Sequence, residues 1–352
     1  MNIPRSWYDS PWYRHSKHLL FESLYRSGLL SFFRHFHRKP VLVLTYHDVL
    51  PDGFPEDNPL FGMTVSASEF EWQLSYLCRH YTPITYAQFA DWLLQDAPLP
   101  LRPVLLTFDD GHRNILQYAG PLLRKHKIPA VCFVITGSLG ARQQTWVEEG
   151  YYRILDTPVA AWRLTTGESL PLTTTRDRGA ACGRFFTLFR TLPESAQRLE
   201  LENLRNQLPI SSDGREFPDR FEFLDASGLQ LLRQHNVEVG AHSVSHPIFV
   251  TLSEQRVKEE VVSSKSHLES STGAEIRAFA YPFGMPDLDF SSRDADIVKQ
   301  AGFELAFAAN DGFVSRNSAP FALPRFGIGR MTRAQFAATI SGALAFLKMR
   351  MG

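Results

Sequence analysis

The chain has 352 residues, 44% of them hydrophobic and 21% charged, and its 37 basic residues balance its 37 acidic ones. This composition is typical of a folded globular protein, and the zero net charge excludes the global basic field that draws proteins to nucleic acid, so no nucleic-acid partner is expected. Three cysteines, an odd number at wide spacing, indicate neither a disulfide framework nor a paired-thiolate zinc site.

Residues 1–40 form a basic segment. Seven Lys and Arg residues stand against only Asp9 and Glu22, and leucines and phenylalanines are interleaved with them. This pattern predicts either a helix on an anionic membrane surface or a helix packed on the outside of the domain. Neither a signal-peptide pattern nor a membrane-spanning apolar run is visible in the sequence. We therefore expect a cytoplasmic location, with peripheral contact to the inner face of the membrane under the first alternative.

A strand-then-helix rhythm begins at residue 41 and defines a second unit, 41–352. Its predicted strands cover 41–47, 104–110, 130–135, 237–242, 278–283, 304–309 and 321–328. Its predicted helices cover 66–80 (with Ser66 or Ser68 as the cap), 112–127 (interrupted near Gly120), 224–236, 253–270 and about 332–348. Near-continuous apolar strands that alternate with helices indicate a parallel sheet, and seven of them suit a closed or nearly closed α/β barrel. Residues 140–222 break the rhythm and predict an insertion, in the form of a helical cap.

Polar residues follow four of these strands, at the ends that converge on one mouth of such a barrel. In TFDDG, Asp109 and Asp110 are adjacent, and Gly111 permits the turn that would let both face one site. Two neighbouring carboxylates need a cation, so one is expected to bind a metal while the other stays free as a base. The same letters also occur in ordinary turns.

The sequence HSVSH places His242 and His246 four residues apart, directly after a strand. Pro247 disfavours a helix at His246, so a loop is expected to bring the two imidazoles together. The pair could equally be two hydrogen-bonded histidines of a packed interior. Together with Asp110 it would form a two-histidine, one-carboxylate ligand set, which leaves positions open for water and substrate.

The ordered motifs TFDDG, HSVSHP and YPFG closely resemble those of the polysaccharide deacetylases, the NodB-homology domain of carbohydrate esterase family four. The resemblance covers about 41–135 and 224–330. It implies a distorted seven-stranded (β/α) barrel and a metal-dependent hydrolase that removes N-acetyl groups from a polysaccharide, oligosaccharide or lipid-linked sugar. It also implies that Asp109 is the general base and that Asp110, His242 and His246 bind the metal, with Zn²⁺ expected and Co²⁺, Ni²⁺ or Fe²⁺ as alternatives.

Three positions depart from the usual pattern of the family. Ala280 stands where the family has an arginine that orients the base, and Arg325, on the last strand, is the hypothetical substitute. No C-terminal Leu-x-His motif supplies the general acid. The YHD sequence after the first strand resembles that of biofilm poly-N-acetylglucosamine deacetylases, which makes His47 the expected acid. His112 replaces a common tyrosine, and its role stays open.

The resemblance also implies how substrate is held. The backbone N–H of Phe283 is the expected oxyanion donor, since Pro282 has none. Tyr281, Phe61, Trp146 and Phe313 are candidates for stacking on a sugar ring, although aromatic residues at strand ends also serve packing. Three alternatives stay open: a deacylase of a non-sugar amide, a catalytically weakened carbohydrate-binding homologue, and a membrane-associated interaction protein built around residues 1–40. An acetylated glycan or a lipid-linked sugar is the expected substrate.

Overall fold

The computed structural model describes residues 11–55, 61–141, 144–210 and 218–343. The helices are α1 (Pro11–Arg26), α2 (Leu30–Phe36), α3 (Ala67–His80), α4 (Tyr86–Gln95), α5 (Gly120–His126), α6 (Trp146–Asp156), α7 (Thr175–Phe189), α8 (Glu194–Gln207), α9 (Pro218–Phe221), α10 (Ala226–Leu232), α11 (Glu254–Thr272), α12 (Ser292–Gln300) and α13 (Arg333–Ile340). A π-helical turn covers Ile115–Ala119, and 3₁₀ turns cover Thr136–Ser138, Arg233–His235 and Phe249–Thr251. Among the described residues, no helix is both long and apolar enough to span a membrane.

The strands are β1 (Leu42–Tyr46), β2 (Asp48–Leu50), β3 (Thr64–Ser66), β4 (Thr82–Pro83), β5 (Pro103–Phe108), β6 (Ala130–Val134), β7 (Ala161–Arg163), β8 (Ser169–Pro171), β9 (Val237–Ala241), β10 (Ala278–Ala280), β11 (Leu305–Phe307) and β12 (Phe326–Gly327). Seven of them form a curled parallel sheet in the order β11-β10-β9-β6-β5-β1-β12, and the short β4 pairs with β5. These seven are the seven predicted strands, each shorter than its prediction by one or more residues, and the predicted barrel-like α/β class is confirmed.

The segment that leads into β12 brings the two edges of the sheet together. Leu323 forms a parallel bridge with Phe307 of β11, and three residues later Phe326 pairs with Leu44 of β1. Arg325 lies between these two contacts, and its own N–H donates to the carbonyl of Asn310. The closure of the sheet therefore carries the Arg325 side chain into the space between the strands, where it is fully buried.

The predicted helix boundaries follow from local signals. Ser66 is the cap of α3, since its side chain accepts from the N–H of Glu69. The Gly120 interruption is present as the change from the π-helical turn to α5. The last predicted helix is α13, which ends at Ile340, and the rest of its predicted range from residue 344 lies outside the described residues. Helix α4 went unpredicted, although Thr85 and Gln88 form a capping box at its start.

The described part of the N-terminal segment is two helices that pack on the barrel domain. Phe21 of α1 and Leu30 of α2 are buried in the main hydrophobic core. At these two positions, the N-terminal segment therefore packs on the outside of the domain, which was the second of the two predicted alternatives. Large apolar side chains on the same helices are nevertheless exposed: Leu19, Leu20, Leu29, Phe32 and Phe36. Arg5 and Asp9 of the predicted basic segment lie outside the described residues.

The described part of the 140–222 insertion contains α6, the antiparallel β7–β8 hairpin, α7, α8 and α9. It has a hydrophobic core of its own around Trp162 and Phe185. Ile248 and Phe283, which flank the predicted metal-binding and substrate loops, pack against that core. The insertion is thus mainly helical, as predicted, and it borders the mouth of the barrel. Residues 142–143 and 211–217 of the predicted range lie outside the described residues.

Candidate active site and metal centre

Asp109 is held by Arg325 at the carboxyl end of β5. Nη1 and Nη2 of Arg325 donate to the two carboxylate oxygens of Asp109 at 2.7 and 2.8 Å. Nη1 also donates to the hydroxyls of Thr45 and Thr107, each at 3.1 Å, which are paired in register on β1 and β5. Arg325 therefore contacts Asp109 as the sequence-based hypothesis required, while its role as a substitute for an arginine at position 280 stays a prediction.

The environment of Asp109 keeps its carboxylate ionised. Burial alone would raise the pKa of Asp109, but the Arg325 guanidinium outweighs this effect and holds the pKa well below its usual value. Only 4% of Asp109 is exposed. The carboxylate therefore stays deprotonated, and the two charge-assisted hydrogen bonds from Arg325 fix its orientation.

Asp110 reaches the same mouth because the backbone turns immediately after the strand. Asp110 and Gly111 both have positive φ angles, of 71° and 82°. A Cβ atom on Gly111 would lie 3.0 Å from the Val134 side chain, so glycine is needed both for its conformation and for the space. The predicted role of Gly111 as the residue that permits the turn is confirmed.

The HSVSH loop is held by Glu260 of α11. The carboxylate of Glu260 accepts from the N–H groups of Val244 and Ser245 at 2.8 and 2.9 Å, and from the Ser245 hydroxyl at 2.7 Å. The N–H of His246 donates to the Ser243 hydroxyl. His246 has a positive φ of 56°, so a loop rather than a helix meets the four-residue spacing, as predicted. Nothing in the sequence distinguishes Glu260 from the other polar residues of α11, so this role could not be predicted.

Asp110, His242 and His246 form a buried group whose candidate ligand atoms all lie within 4.8 Å of one another. Nε2 of each histidine lies 3.5 Å from Oδ1 of Asp110, and that oxygen has no hydrogen-bond partner among the described residues. Nδ1 of His242 contacts the carbonyl oxygen of Ala280 at 2.7 Å, which leaves Nε2 free to bind a metal. Burial lowers the pKa of both histidines to about 4, so both imidazoles are neutral at pH 7. The three residues brought together are the predicted ligands, and they fit a divalent ion.

His47 lies between β1 and β2 at the same mouth and is partly exposed. It is near enough to Asp109 and His246 to influence their pKa values, and its Nδ1 has no hydrogen-bond partner among the described residues. This position is compatible with the general acid that the YHD motif implied.

Asp48, the next residue, belongs to a buried charged network rather than to the ligand group. One carboxylate oxygen of Asp48 contacts Nδ1 of His112 at 2.9 Å and accepts from Asn114 at 2.7 Å, and the other lies 3.1 Å from Nε of Arg220. Arg220 also pairs with Glu148 of the insertion at 2.7 Å. The role of His112, which the sequence left open, is a structural one, since its side chain is buried and paired with Asp48.

This network links the TFDDG turn and β2 to the insertion. Burial lowers the pKa of His112, but the Asp48 carboxylate outweighs burial and raises it. Burial likewise raises the pKa of Asp48, but Arg220 and His112 outweigh it and hold the pKa well below its usual value. Sequence reasoning missed Arg220 and Glu148, because nothing in the polar insertion separates these two residues from the many other charged ones.

The candidate substrate residues have different positions. Phe283 has a positive φ of 58°, and among the described residues nothing accepts a hydrogen bond from its N–H. Its ring contacts those of His246 and Trp146 at 4.7 and 5.6 Å. Trp146, from the insertion, donates through Nε1 to the carbonyl of His246 at 2.9 Å. These two aromatic residues therefore border the candidate metal site.

Tyr281 and Phe61 do not support the sugar-stacking interpretation. Tyr281 is 1% exposed, stacks on Phe290 at 3.7 Å and donates its hydroxyl to the carbonyl of Phe321. Phe61 is fully buried. Both rings are used in packing, since Tyr281 belongs to the main core and Phe61 to a smaller buried cluster with Leu50, Tyr152 and Phe221. Phe313 stacks on His37 at 4.3 Å, next to the N-terminal helices.

The sequence matches the family model described as polysaccharide deacetylase over residues 96–160 and 212–306. A curated relative, the poly-beta-1,6-N-acetyl-D-glucosamine N-deacetylase of Staphylococcus aureus strain MSSA476, is 34% identical over 108 residues, which are 28% of this chain and 37% of that protein. The matched region thus spans well under half of the relative.

Two solved structures share the fold. The Streptococcus pyogenes deacetylase PplD in complex with acetate has a TM-score of 0.57 at 17% identity, over 86% of this chain and 99% of that one. IcaB from Ammonifex degensii has a TM-score of 0.56 at 21% identity, over 86% of this chain and 97% of that one.

Proposed function

Because the sequence matches the polysaccharide deacetylase family model over residues 96–160 and 212–306, we propose that the chain is a metal-dependent hydrolase that removes N-acetyl groups from an acetylated glycan. The observation that carries the proposal is the position of a free carboxylate, Asp109 held by Arg325, beside the buried group of Asp110, His242 and His246. A base next to a two-histidine, one-carboxylate metal site is an arrangement that can activate water for hydrolysis of an amide.

Asp110, His242 and His246 would hold the divalent ion, and Zn²⁺ is the proposed ion because nitrogen and oxygen ligands of this kind suit it. When bound, the ion would polarise the acetamide carbonyl and make the attacking water more acidic. The same ligands also accept Co²⁺, Ni²⁺ or Fe²⁺.

Asp109 and His47 carry out the two proton transfers of the proposed reaction. Asp109 accepts the proton of the water whose oxygen bonds to the acetyl carbon. The N–H of Phe283 donates to the carbonyl oxygen as negative charge develops on it. The bond between the acetyl carbon and nitrogen then breaks, and His47 donates a proton to the leaving amine, which would otherwise depart as a very basic anion. The products are acetate and a glycan with a free amine.

A β-1,6-linked N-acetylglucosamine polymer is the first substrate to test, because the curated relative carries that substrate in its name. The test is acetate release from a panel of N-acetylated oligosaccharides, O-acetylated sugars, a lipid-linked N-acetyl sugar and small non-sugar amides. Release from N-acetylated oligosaccharides that is lost with chelator and restored with Zn²⁺ supports the proposal. Turnover of non-sugar amides alone would replace it with the amide deacylase alternative, and no turnover at all would favour the weakened homologue.

We further propose that α1 and α2 touch an anionic membrane surface. Leu29, Phe32 and Phe36 recur at intervals of three and four residues, which places them on one face, and they are 54 to 64% exposed. The exposed cations Arg38 and Lys39 follow directly, which complements anionic lipid. Vesicle flotation of a Phe32→Ser, Phe36→Ser double variant tests this proposal, with Leu199→Ser and Leu231→Ser, at exposed leucines elsewhere, as the matched control. Equal flotation of both variants and the wild type would contradict membrane contact through this face. The predicted cytoplasmic location stays a prediction.

A further inference from the structure

A cavity of about 300 Å³ lies between the N-terminal helices and α3. It is lined by Tyr25 and Leu30 from the N-terminal side and by Trp72, Tyr76, Arg79 and His80 of α3, with Arg34 between them. It shares no lining residue with the site around Asp109. The groups that face it are aromatic rings, hydroxyls and cations.

Arg34 is the unusual member of this cavity. It is 8% exposed, and its Nη1 donates to the hydroxyl of Tyr76 at 2.9 Å, whereas its buried Nε has no hydrogen-bond partner. Within the described ranges, no carboxylate pairs with Arg34. Arginine is almost never this deeply buried without a counter-charge, because desolvation of an unpaired guanidinium is costly. Among the described residues, Arg34 therefore has no counter-charge, and an anion bound in the cavity would supply one.

The surroundings of Arg34 add positive charge. Burial, together with the charges of Arg34, Arg79 and Arg102, lowers the pKa of His80 to about 4. Arg79 is exposed at the rim of the cavity and has no ion-pair partner among the described residues. The acidic residues of α3 are engaged elsewhere, since Glu69 pairs with Arg333 and Glu71 with Lys125.

We propose that this cavity binds a phosphate group, with Arg34 at its base and Arg79 at its rim as the charged donors. A phosphate offers several acceptor oxygens to the guanidinium group of Arg34. Its negative charge also neutralises two arginines more completely than a single carboxylate would. The Trp72 and Tyr76 rings, 5.3 Å apart, provide an apolar wall for the group that carries the phosphate. That group is either a small soluble molecule or a lipid headgroup, since the exposed apolar residues of α1 and α2 lie on the helices that line the same cavity.

The first test is calorimetric titration of the full chain with inorganic phosphate at constant ionic strength. We expect saturable binding to the wild type and at least about tenfold weaker binding to Arg34→Gln and Arg79→Gln, since a lost charged donor typically costs that much. Arg184→Gln, which removes an exposed arginine of the insertion, is the matched control and should bind as the wild type does. If Arg34→Gln does not fold, Arg79→Gln decides, because its side chain is exposed.

The second test separates the two sources of the phosphate. Flotation is measured with phosphatidylcholine vesicles that contain either phosphatidic acid or, at the same surface charge, oleate. Preference for phosphatidic acid that Arg34→Gln and Arg79→Gln abolish assigns the site to a lipid headgroup, and binding of inorganic phosphate without that preference assigns it to a soluble ligand. The proposal is overturned if neither probe binds, or if both variants bind the probes as well as the Arg184→Gln control does.

Discussion

Arg325 and Asp109 form a bidentate pair in which two guanidinium nitrogens contact the two carboxylate oxygens at 2.7 and 2.8 Å. The pair joins the strand that closes the barrel to the strand that ends in the TFDDG turn. Both side chains are buried, so water does not compete for the hydrogen bonds. The orientation of the proposed base therefore depends on a residue 216 positions away in the sequence.

Arg325→Lys tests whether this geometry matters beyond charge. Lysine keeps the positive charge but cannot donate two parallel hydrogen bonds, so Asp109 loses its fixed orientation. We expect kcat for acetate release to fall by roughly 10- to 100-fold with little change in KM, because misplacement by about 1 Å costs rates of that order. The control is Arg333→Lys, at an exposed pair with Glu69, which should leave kcat unchanged. Equal kcat in both variants would remove the orienting role of Arg325.

Asp109→Asn tests the base itself. The asparagine side chain retains an acceptor for Arg325 but cannot take a proton, so we expect a loss of turnover of about 10²- to 10⁴-fold with metal content unchanged. Because Arg325 then stays buried without its counter-charge, the melting temperature should also fall. Steady-state kinetics, metal analysis and thermal unfolding are measured on the same sample, with the exposed Asp296→Asn as control. Turnover near the wild-type rate would show that Asp109 is not the base.

His47→Ala tests the proposed general acid. A leaving amine of low basicity needs little help from an acid, so the rate loss should shrink across a series of anilides with increasingly acidic leaving groups. For the poorest leaving group, a loss on the order of 10²-fold or more is expected. The slope of log kcat/KM against leaving-group pKa is compared between variant and wild type. Parallel slopes would argue that His47 acts in binding instead.

Asp48→Asn tests the buried network and its pH dependence. The folded-state pKa of Asp48 lies below its usual 3.8, so its ionisation stabilises the fold above that pH, and this contribution is lost as pH falls below it. Removal of the charge leaves Arg220 and His112 buried without it, which should cost about 3 to 5 kcal/mol at pH 7. Urea unfolding is measured from neutral to acidic pH, with Asp96→Asn, at an exposed pair with Arg316, as control.

The difference in unfolding free energy between the wild type and Asp48→Asn should be full at neutral pH and shrink once the pH drops below about 4. A difference that stays constant through this range would mean that the loss comes from packing or hydrogen bonding, not from the charge.

Short-range patterns predicted the fold and the residues that meet in the candidate metal site. Seven apolar runs became seven of the eight strands of the sheet, and the convergence of strand ends brought Asp110, His242 and His246 together. The four-residue spacing in HSVSH limits how the two histidines can meet, and Gly111 permits the turn after Asp110. Both features can be read from a few neighbouring residues of the sequence. Arg325 could be predicted by the same reasoning because it falls within the predicted last strand, and in the structure it lies directly before β12, which pairs with β1.

Contacts that depend on the insertion could not be predicted. The pairing of Arg220 with Asp48 and Glu148 joins three separate segments, and no periodicity links them. The sugar-stacking interpretation of Tyr281 failed for a related reason. An aromatic side chain at the end of a strand can face either the mouth or the core. The stacking of Tyr281 on Phe290 shows that Tyr281 faces the core, and this contact is not visible in the sequence.

The central claim is that one divalent ion is held by Asp110, His242 and His246 while Asp109 stays free. Metal content per chain, measured by mass spectrometry after loading and desalting, tests it most directly. The wild type and Asp109→Asn should each retain about one ion, and Asp110→Ala, His242→Ala and His246→Ala should each retain far less, since a site with two ligands binds weakly. Full retention in any of the three ligand variants, or loss in Asp109→Asn with the fold intact, would contradict the account.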